Sequence, residues 1–266
     1  MPADLVIEMF ACDPPARFID AMSRRAATGR PSVWINLEYL SAESWIDGVH
    51  GLPSPHPSRP LTKHFFVPGF SEASGGLIRE REIGPCPLAL RPVGTEPKLL
   101  SFTYPSAPVA LIAEAINAMV SLAAPLRRLP ARHTVLQPVR QPDFDQLLAS
   151  HDVLLVRGED SFVRAQWAAR PLLWDIYPTD DQAHLRKLDA WLDRYTDDMD
   201  RDLAARYRAI SRAFVTRELG VRDAADFASL LPSLRRHAVR WQHALCASSD
   251  LVTRLLTFCA RIQTAT

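Results

Sequence analysis

Short, continuous apolar runs recur along the first two thirds of the chain, separated by stretches in which apolar and polar residues mix. Uninterrupted apolar runs bounded by turn residues are typical of strands that are buried on both faces of a parallel sheet. This pattern predicts strands at residues 5–10, 33–37, 99–104, 120–122, 134–136, 153–156 and 172–176.

Helical spacing of apolar residues appears between these runs and dominates the end of the chain. It predicts helices at residues 14–27, 109–118, 144–149, 162–169, 181–195, 199–219 and 223–262. Pro232 should interrupt the last of these, because proline removes a helical hydrogen bond. The alternation of strands and helices predicts an α/β fold whose parallel strands are joined by crossover helices, with a helical C-terminal end.

Proline marks the loops and a domain junction. The 22 prolines cluster at residues 53–60 and 85–108, and apolar residues continue between them, which argues against disorder. Two strand–helix sets flank the second cluster. We therefore predict two domains, residues 1–92 and 93–266.

Charge and composition narrow the class of partner. The chain carries 31 basic and 30 acidic side chains, for a net charge of +1, whereas a nucleic-acid surface needs a basic excess. No apolar run approaches the ~20 residues of a membrane span. We expect no nucleic-acid or membrane partner and a cytoplasmic location. The cysteines and histidines lack metal-ligand spacing, so no metal site is predicted.

A polar turn follows the apolar run at 153–156 and offers several kinds of chemistry together. It holds Arg157, Glu159 and Asp160, and Ser161 stands where the next helix should begin. A cation, carboxylates, a hydroxyl and free helix amides suit a sugar nucleotide, since amides and hydroxyls bind phosphate and carboxylates bind sugar hydroxyls. An ordinary helix capped by Ser161 explains the same residues and is the commoner origin of such a pattern.

Two more polar positions follow strands of the same predicted sheet. Tyr104 ends the strand at 99–104, and Gln141 follows the strand at 134–136. Ligands of open α/β sheets bind beyond the carboxyl ends of the strands. The topology therefore directs Tyr104, Gln141 and the turn at 157–161 toward one crevice.

Three blocks of uncommon residue runs occur in order along the chain. They are VWINLEYLSAE at 33–43 with Trp45 and HGLPSP at 50–55, FFVPGF at 65–70 with GGLIRE at 75–80, and LVRGEDSFVRAQ at 155–166 with IYPTDDQAHLRKLD at 176–189. Through these blocks the chain resembles, over nearly its whole length, the arginine rhamnosyltransferases that modify elongation factor P.

The resemblance implies a fold and an activity. The fold is the two-domain Rossmann-like architecture called GT-B, with an acceptor-side domain at 1–92 and a nucleotide-sugar domain at 93–266. The activity is inverting transfer of L-rhamnose from dTDP-β-L-rhamnose to an arginine of translation elongation factor P, with no metal or other cofactor. The donor-binding residues that it implies are Phe102, Tyr104, Gln141, Arg157, Gly158, Glu159, Asp160 and Ser161.

One motif of the resembled family is missing from this sequence. That family opens with a strand and an Asp-Asn-Tyr-Gly-Asp turn, whose aspartates serve the acceptor arginine, and no such run occurs here. We therefore expect a first domain that is incomplete at its N-terminus and assign the catalytic carboxylate to Glu159. Two alternatives stay open: a homologue that binds the dTDP-sugar without turnover, and a helical interaction protein, which rests on residues 181–262 alone.

Several residues of these three sequence blocks can be interpreted in two ways. Asn36, Glu38 and Glu43 either shape the acceptor side or cap a helix near residue 41. The pair at 180–181 is more simply a helix cap than a ligand site, and Tyr177 is a weaker donor-site candidate.

Overall fold

The apolar runs form two separate, largely parallel sheets in the computed structural model of the chain, which describes residues 2–85, 97–123, 132–135 and 139–265. The chain divides into two units. Unit 1 comprises Met1–Arg79 and Ser248–Thr266, and unit 2 comprises Glu80–Ala247. The predicted α/β class with a helical C-terminal end is confirmed.

Strands and helices alternate along both units. The first part of unit 1 contains β1 (Leu5–Met9), α1 (Ala16–Ala27), β2 (Val33–Leu37), β3 (Pro53–Pro55) and β4 (Thr62–Phe66). Unit 2 contains β5 (Lys98–Phe102), α2 (Val109–Ala123), β6 (Arg132–Val135), α3 (Gln141–Ser150), β7 (Val153–Arg157), α4 (Asp160–Trp167), β8 (Leu172–Asp175), α5 (Ala183–Tyr195), α6 (Arg201–Thr216) and α7 (Val221–Ala247). The last helix, α8 (Leu251–Ala265), returns to unit 1.

Both faces of the sheet in unit 1 are covered, which explains the continuous apolar run of β2. The strand order is β1-β2-β4-β3, with β3 antiparallel to β4 and the other pairs parallel. Trp34 packs with Met22 of α1 on one face. Its neighbours Val33 and Ile35 point to the opposite face and pack with Leu255 of α8, because successive strand side chains alternate.

Gly76 and Arg254 attach α8 to the loop after β4. Arg254 forms an ion pair with Glu72 at 2.8 Å, and the amide of Leu251 donates to the Leu77 carbonyl at 2.9 Å. The Arg254 guanidinium also donates to four backbone carbonyls, those of Ser71, Glu72, Ser74 and Ser249. Gly76 has a φ of +73°, and its missing side chain leaves room for this approach.

Unit 2 has the strand order β6-β5-β7-β8, and all of its strand pairs are parallel. The chain leaves β5 toward β6 on one side and then crosses to β7 on the other side. The connections therefore diverge between β5 and β7, and open α/β sheets bind ligands at such a switch point. Helix α6 anchors the far edge of the sheet, where the buried Tyr207 hydroxyl donates to the Leu172 carbonyl at 2.6 Å.

Several predicted elements were wrong in detail. The strand at 120–122 is instead the end of α2, because a short apolar run does not by itself separate helix from strand. Helix α7 continues through Pro232, and the break falls near Asp250, whose carboxylate accepts from the Thr253 amide at 3.0 Å at the start of α8. The Pro-rich segment after Trp45 also contains β3 and β4.

The domain limits can be compared only in part. The predicted boundary at residues 92 and 93 falls in the stretch 86–96, which lies outside the described residues. The C-terminal segment was predicted in the second domain, but α8 belongs to unit 1 because Leu255 and Cys259 complete the core beneath β2 and β4. Across the described ranges, no helix is both long enough and apolar enough to cross a membrane.

Replacement of Gly76 by alanine should destabilise unit 1. The added methyl group would lie 3.0 Å from both Arg254 Cδ and the Ser249 carbonyl oxygen, at a φ that alanine rarely adopts. We expect a loss of about 1–3 kcal/mol in the free energy of unfolding, measured by urea denaturation. Gly48→Ala is the control, since no atom lies within 4 Å of the new methyl group. Equal stability of the two variants would contradict this account.

Candidate functional site

The carboxyl ends of β5 and β7 bring several predicted site residues together at the switch point of unit 2. Phe102 is the last residue of β5, and Arg157 is the last residue of β7. These strands are paired in register through Phe102 and Val156. Tyr104 lies two residues beyond β5. Phe102, Tyr104 and Arg157 therefore lie at the same edge of the sheet, where ligands of open α/β sheets bind.

Arg157 is held by aromatic rings. Its guanidinium carbon lies 4.7 Å from the centre of the Phe102 ring and 5.1 Å from the centre of the Tyr104 ring, within the range of cation–π attraction. The side chain is half-buried, and within the described part of the chain it has no carboxylate partner. Its charge is therefore oriented by the rings but not neutralised.

Asp175 fixes the position of Tyr104. The carboxylate is wholly buried at the end of β8 and accepts a hydrogen bond from the Tyr104 amide at 2.7 Å. Its other oxygen lies 2.7 Å from an Arg217 nitrogen, in the geometry of an ion pair rather than a directed hydrogen bond. Burial raises the pKa of the Tyr104 hydroxyl, which keeps it protonated. The exposed ring of Tyr177 packs edge-on against Tyr104 at 5.7 Å.

A tight turn joins β7 to α4. Gly158 has a φ of +69°, a conformation in which a side chain is strained, and its carbonyl accepts a hydrogen bond from Trp174 Nε1 at 2.8 Å. Helix α4 therefore begins at Asp160, with Glu159 as the N-cap. The prediction that Ser161 caps the helix is wrong. Ser161 is the second helical residue and stands two positions after the N-cap.

The two carboxylates of this turn are each bound by a cation of unit 2. Glu159 lies 3.2 Å from Lys187 Nζ of α5. Asp160 lies 3.1 Å from Arg164 Nε, one helical turn later. Arg164 is buried and also contacts Asp145 of α3 at 2.8 Å and Glu80 at 3.4 Å. Each acid of the turn thus has a basic contact, although Arg164 shares its single charge among three carboxylates, and Arg157 has no carboxylate contact among the described residues.

Arg157 and the start of α4 together offer chemical groups that suit an anion. The first amides of a helix have no acceptor within the helix, and the helix dipole adds positive potential at this end. The amides of α4 and the Arg157 guanidinium share one edge of the sheet. Such an arrangement is suited to binding a phosphate group.

Gln141 stands apart from this cluster. It is the exposed first residue of α3 and, among the described residues, no hydrogen bond or ion pair links it to Arg157 or to the turn at 158–161. The residues between β6 and α3 at 136–138 lie outside the described part. The assignment of Gln141 to donor binding therefore stays a prediction.

Other interpretations from the sequence are resolved by direct contacts. Asp181 accepts a hydrogen bond from the Ala183 amide at 3.0 Å, and this bond lowers the pKa of the carboxyl. The N-cap of α5 is Gln182, however, so the pair at 180–181 precedes the helix and does not supply its predicted cap and first-turn acid. Ser41 and Glu43 hydrogen-bond to each other in a local turn. Among the described residues, no group of three or more histidine, cysteine or acidic side chains could hold a metal ion.

Sequence reasoning missed the residues that hold the site in place. They are Arg164, Trp174, Asp175, Lys187 and Arg217. Only the spacing of Asp160 and Arg164, four residues apart on one helix, could have been read from the sequence. The other contacts join elements that are distant along the chain.

A second polar cluster lies at the carboxyl ends of β1 and β2 in unit 1. Phe10 and Ala11 have φ values of +57° and +53°, which cost about 1–3 kcal/mol each in a residue other than glycine. The Ala11 amide donates to the buried Asn36 side chain at 3.0 Å, and Asn36 in turn donates to Glu38 at 2.6 Å. Asn36 therefore fixes the turn and does not cap a helix.

Asp175→Ala should weaken the fold of unit 2. The change leaves the Arg217 charge and the Tyr104 amide without their partner, which should cost about 2–3 kcal/mol of unfolding free energy. Asp193→Ala is the matched control because its ion pair with Arg208 is exposed, and it should change stability by less than about 0.5 kcal/mol. Equal losses in urea denaturation would show that the Asp175 contacts are not stabilising.

Comparison with known proteins identifies the family of the chain. The family model "Elongation-Factor P (EF-P) rhamnosyltransferase EarP" matches residues 1–89 and 104–260. The "Protein-arginine rhamnosyltransferase" of Pseudomonas putida is 38% identical over 302 aligned residues, covering 97% of this chain and 78% of the relative. Its counterpart in Pseudomonas aeruginosa is 37% identical with the same coverage of both chains.

A solved structure gives the same result. It is described as "Structural basis for EarP-mediated arginine glycosylation of translation elongation factor EF-P" and superposes with a TM-score of 0.57 at 25% identity, covering 97% of this chain and 98% of that chain. The sequence blocks, the family match and this likeness together show that the chain belongs to the elongation factor P rhamnosyltransferase family.

Proposed function

We propose that this chain transfers L-rhamnose from dTDP-β-L-rhamnose to an arginine side chain of translation elongation factor P, with inversion at the sugar carbon. The observation that carries the proposal is Arg157, a half-buried cation placed by two aromatic rings at the switch point of unit 2 and left without a carboxylate partner among the described residues. The relatives' names supply the acceptor and the sugar.

The donor diphosphate is assigned to Arg157 and the first amides of α4. A guanidinium binds phosphate oxygens through two parallel hydrogen bonds, and helix amides add donors from the other side. The Ser161 hydroxyl lies in the first turn of α4 and supplies a further donor. Phe102 and Tyr104 hold Arg157 in place, and the exposed Tyr177 ring extends the aromatic surface toward the nucleoside.

In the transfer step, negative charge develops on the departing diphosphate and the attacking guanidinium loses a proton. A new bond forms between a guanidinium nitrogen and the anomeric carbon as the bond from that carbon to the diphosphate breaks, and the nitrogen loses a proton to a carboxylate. Guanidinium has a pKa above ~12, so the acceptor must share its proton during the attack. Arg157 and the α4 amides neutralise the departing dTDP, so the proposal needs no metal ion.

Glu159 is assigned to the sugar. Its carboxylate is held by Lys187 at 3.2 Å and lies one residue beyond Gly158. A fixed carboxylate there can bind sugar hydroxyls and balance the positive charge that develops on the sugar ring as the donor bond breaks. Because elongation factor P is a translation factor, a cytoplasmic location follows from the proposed acceptor.

Arg157→Gln should weaken dTDP binding. The variant loses a charged hydrogen-bond donor to the diphosphate, so we expect the dissociation constant to rise about 10–100-fold in calorimetry. Arg186→Gln is the control, since that arginine is exposed and pairs only with the nearby Asp181. Unchanged binding by Arg157→Gln would remove Arg157 from the donor site.

Elongation factor P incubated with this chain and dTDP-β-L-rhamnose should gain the mass of one deoxyhexose on one arginine, detected by mass spectrometry of its peptides. Glu159→Gln should lower kcat by about 10²–10³-fold while dTDP binding is retained, because the carboxylate that balances charge on the sugar ring is lost. Glu218→Gln, an exposed glutamate that hydrogen-bonds Thr216, should leave kcat unchanged. Absence of the deoxyhexose with the wild-type chain would contradict transfer, whatever the affinity for dTDP.

A further inference from the structure

Arg217 lies at the C-cap of α6 in a backbone conformation that is usually adopted by glycine. Its φ is +68° and its ψ is +19°, in the left-handed region. The amides of Glu218 and Leu219 donate to the Ala213 carbonyl at 2.9 and 3.0 Å, which ends the helix. Glycine is the usual residue in such a turn because any other side chain adds strain. A strained residue other than glycine points to a function for its side chain.

The Arg217 guanidinium joins three separate parts of unit 2. Its Nη1 donates to the Phe214 carbonyl at 2.9 Å, within α6 itself. Its Nη2 lies 2.7 Å from the buried Asp175 carboxylate at the end of β8. Its Nε donates to the Ser106 hydroxyl at 3.1 Å, in the loop between β5 and α2. Each nitrogen of the planar group therefore has a partner, and together these contacts fix its orientation.

The loop between β5 and α2 carries Tyr104 and is held on both sides of that residue. The Tyr104 amide donates to Asp175 at 2.7 Å, and the Tyr104 carbonyl accepts from the Ala107 amide at 3.0 Å. Ser106 lies two residues beyond Tyr104. Because Arg217 contacts both Asp175 and Ser106, one side chain ties the two ends of this short segment to the end of α6.

The contact of Arg217 with Ser106 restricts the loop without adding much to the stability of the fold. Ser106 is exposed, and a hydrogen bond at an exposed site contributes little because water can replace it. Pro105 and Pro108 fix φ at two positions of the loop, so few conformations are open to it. One contact can therefore decide how often Tyr104 stands in the observed position.

We infer that Arg217 is a positioning residue for donor binding, because through Asp175 and Ser106 it holds the loop that places the Tyr104 ring against Arg157. The centre of that ring lies 5.1 Å from the Arg157 guanidinium carbon. This inference rests on the proposed function, which assigns the donor diphosphate to Arg157. Loss of the contacts of Arg217 lowers the fraction of molecules that are ready to bind, and the apparent dissociation constant rises in proportion.

Ser106→Ala removes the contact with the loop and leaves the ion pair of Arg217 with Asp175 in place. The dissociation constant for dTDP should rise about threefold in calorimetry, while the midpoint of thermal unfolding stays within about 1 °C. Ser106→Thr keeps the hydroxyl and should restore the affinity. Ser233→Ala is the matched control, since it removes an exposed hydrogen bond from Arg236 in the same unit. Equal affinities of Ser106→Ala and Ser233→Ala would contradict the inference.

Arg217→Gly removes the side chain at a position where glycine relieves the backbone strain, so α6 should still end at the same residue. The dissociation constant for dTDP should rise about tenfold, because both contacts of Arg217 with the loop and its anchor are lost. Adding Ser106→Ala to this variant should weaken binding no further, since the hydroxyl no longer has its partner. Additive effects of the two changes would show that Ser106 acts independently of Arg217 and would overturn the inference.

Spectra without ligand separate this inference from the proposed function. The full chain, labelled with fluorotyrosine for ¹⁹F NMR, has five tyrosines, and Tyr104→Phe identifies the Tyr104 signal. Ser106→Ala should shift or broaden that signal, while the signals of the buried Tyr195 and Tyr207 stay in place. An unchanged Tyr104 signal would reject the role of Arg217. A changed signal in a protein whose wild-type chain does not bind dTDP would reject the donor site, although Arg217 still positions the loop.

Discussion

Pairing of carboxylates decides which charge remains available at the switch point of unit 2. Glu159, Asp160 and Asp175 each have a basic partner, from Lys187, Arg164 and Arg217 respectively. Among the described residues, Arg157 contacts no carboxylate and is held by the rings of Phe102 and Tyr104. If one of these acids turned to Arg157, the site would lose part of its attraction for an anion. The ion pairs therefore leave Arg157 available, and the pair of the buried Asp175 with Arg217 also stabilises the fold around it.

Much of the fold could be predicted from the sequence, because a continuous apolar run reflects a strand that is buried on both faces. Val33, Trp34 and Ile35 are all apolar since α1 and α8 cover opposite faces of one strand. The order of strands also placed Tyr104 and Arg157 at one edge of a sheet, whereas Phe102 was expected only from the family resemblance. The sequence did not reveal that α8 packs in unit 1, because the pattern of an amphipathic helix does not show which sheet the helix covers.

The incorrect predictions share a physical origin. The start of α4 was predicted two positions too late, with Ser161 as its cap, because the left-handed turn at Gly158, stabilised by Trp174, lets the helix begin at Asp160. The positive φ values of Phe10 and Ala11 have no signature in composition, since glycine is absent from both positions. Contacts such as Lys187 with Glu159 join elements that are adjacent only after folding. Residue patterns along the chain predict which face of a strand or helix is buried and which residues lie at the edge of a sheet. They do not predict which side chains of different elements form pairs.

The central claim is that Arg157 and the first turn of α4 bind the donor diphosphate, and a crystal structure of this chain with dTDP tests it most directly. The account predicts that diphosphate oxygens lie within hydrogen-bonding distance of the Arg157 guanidinium and of the amides of Asp160 and Ser161, while the ion pairs of Glu159 and Asp160 stay in place. A diphosphate bound elsewhere, with Arg157 still packed on Phe102 and Tyr104 and not contacting phosphate, would contradict it.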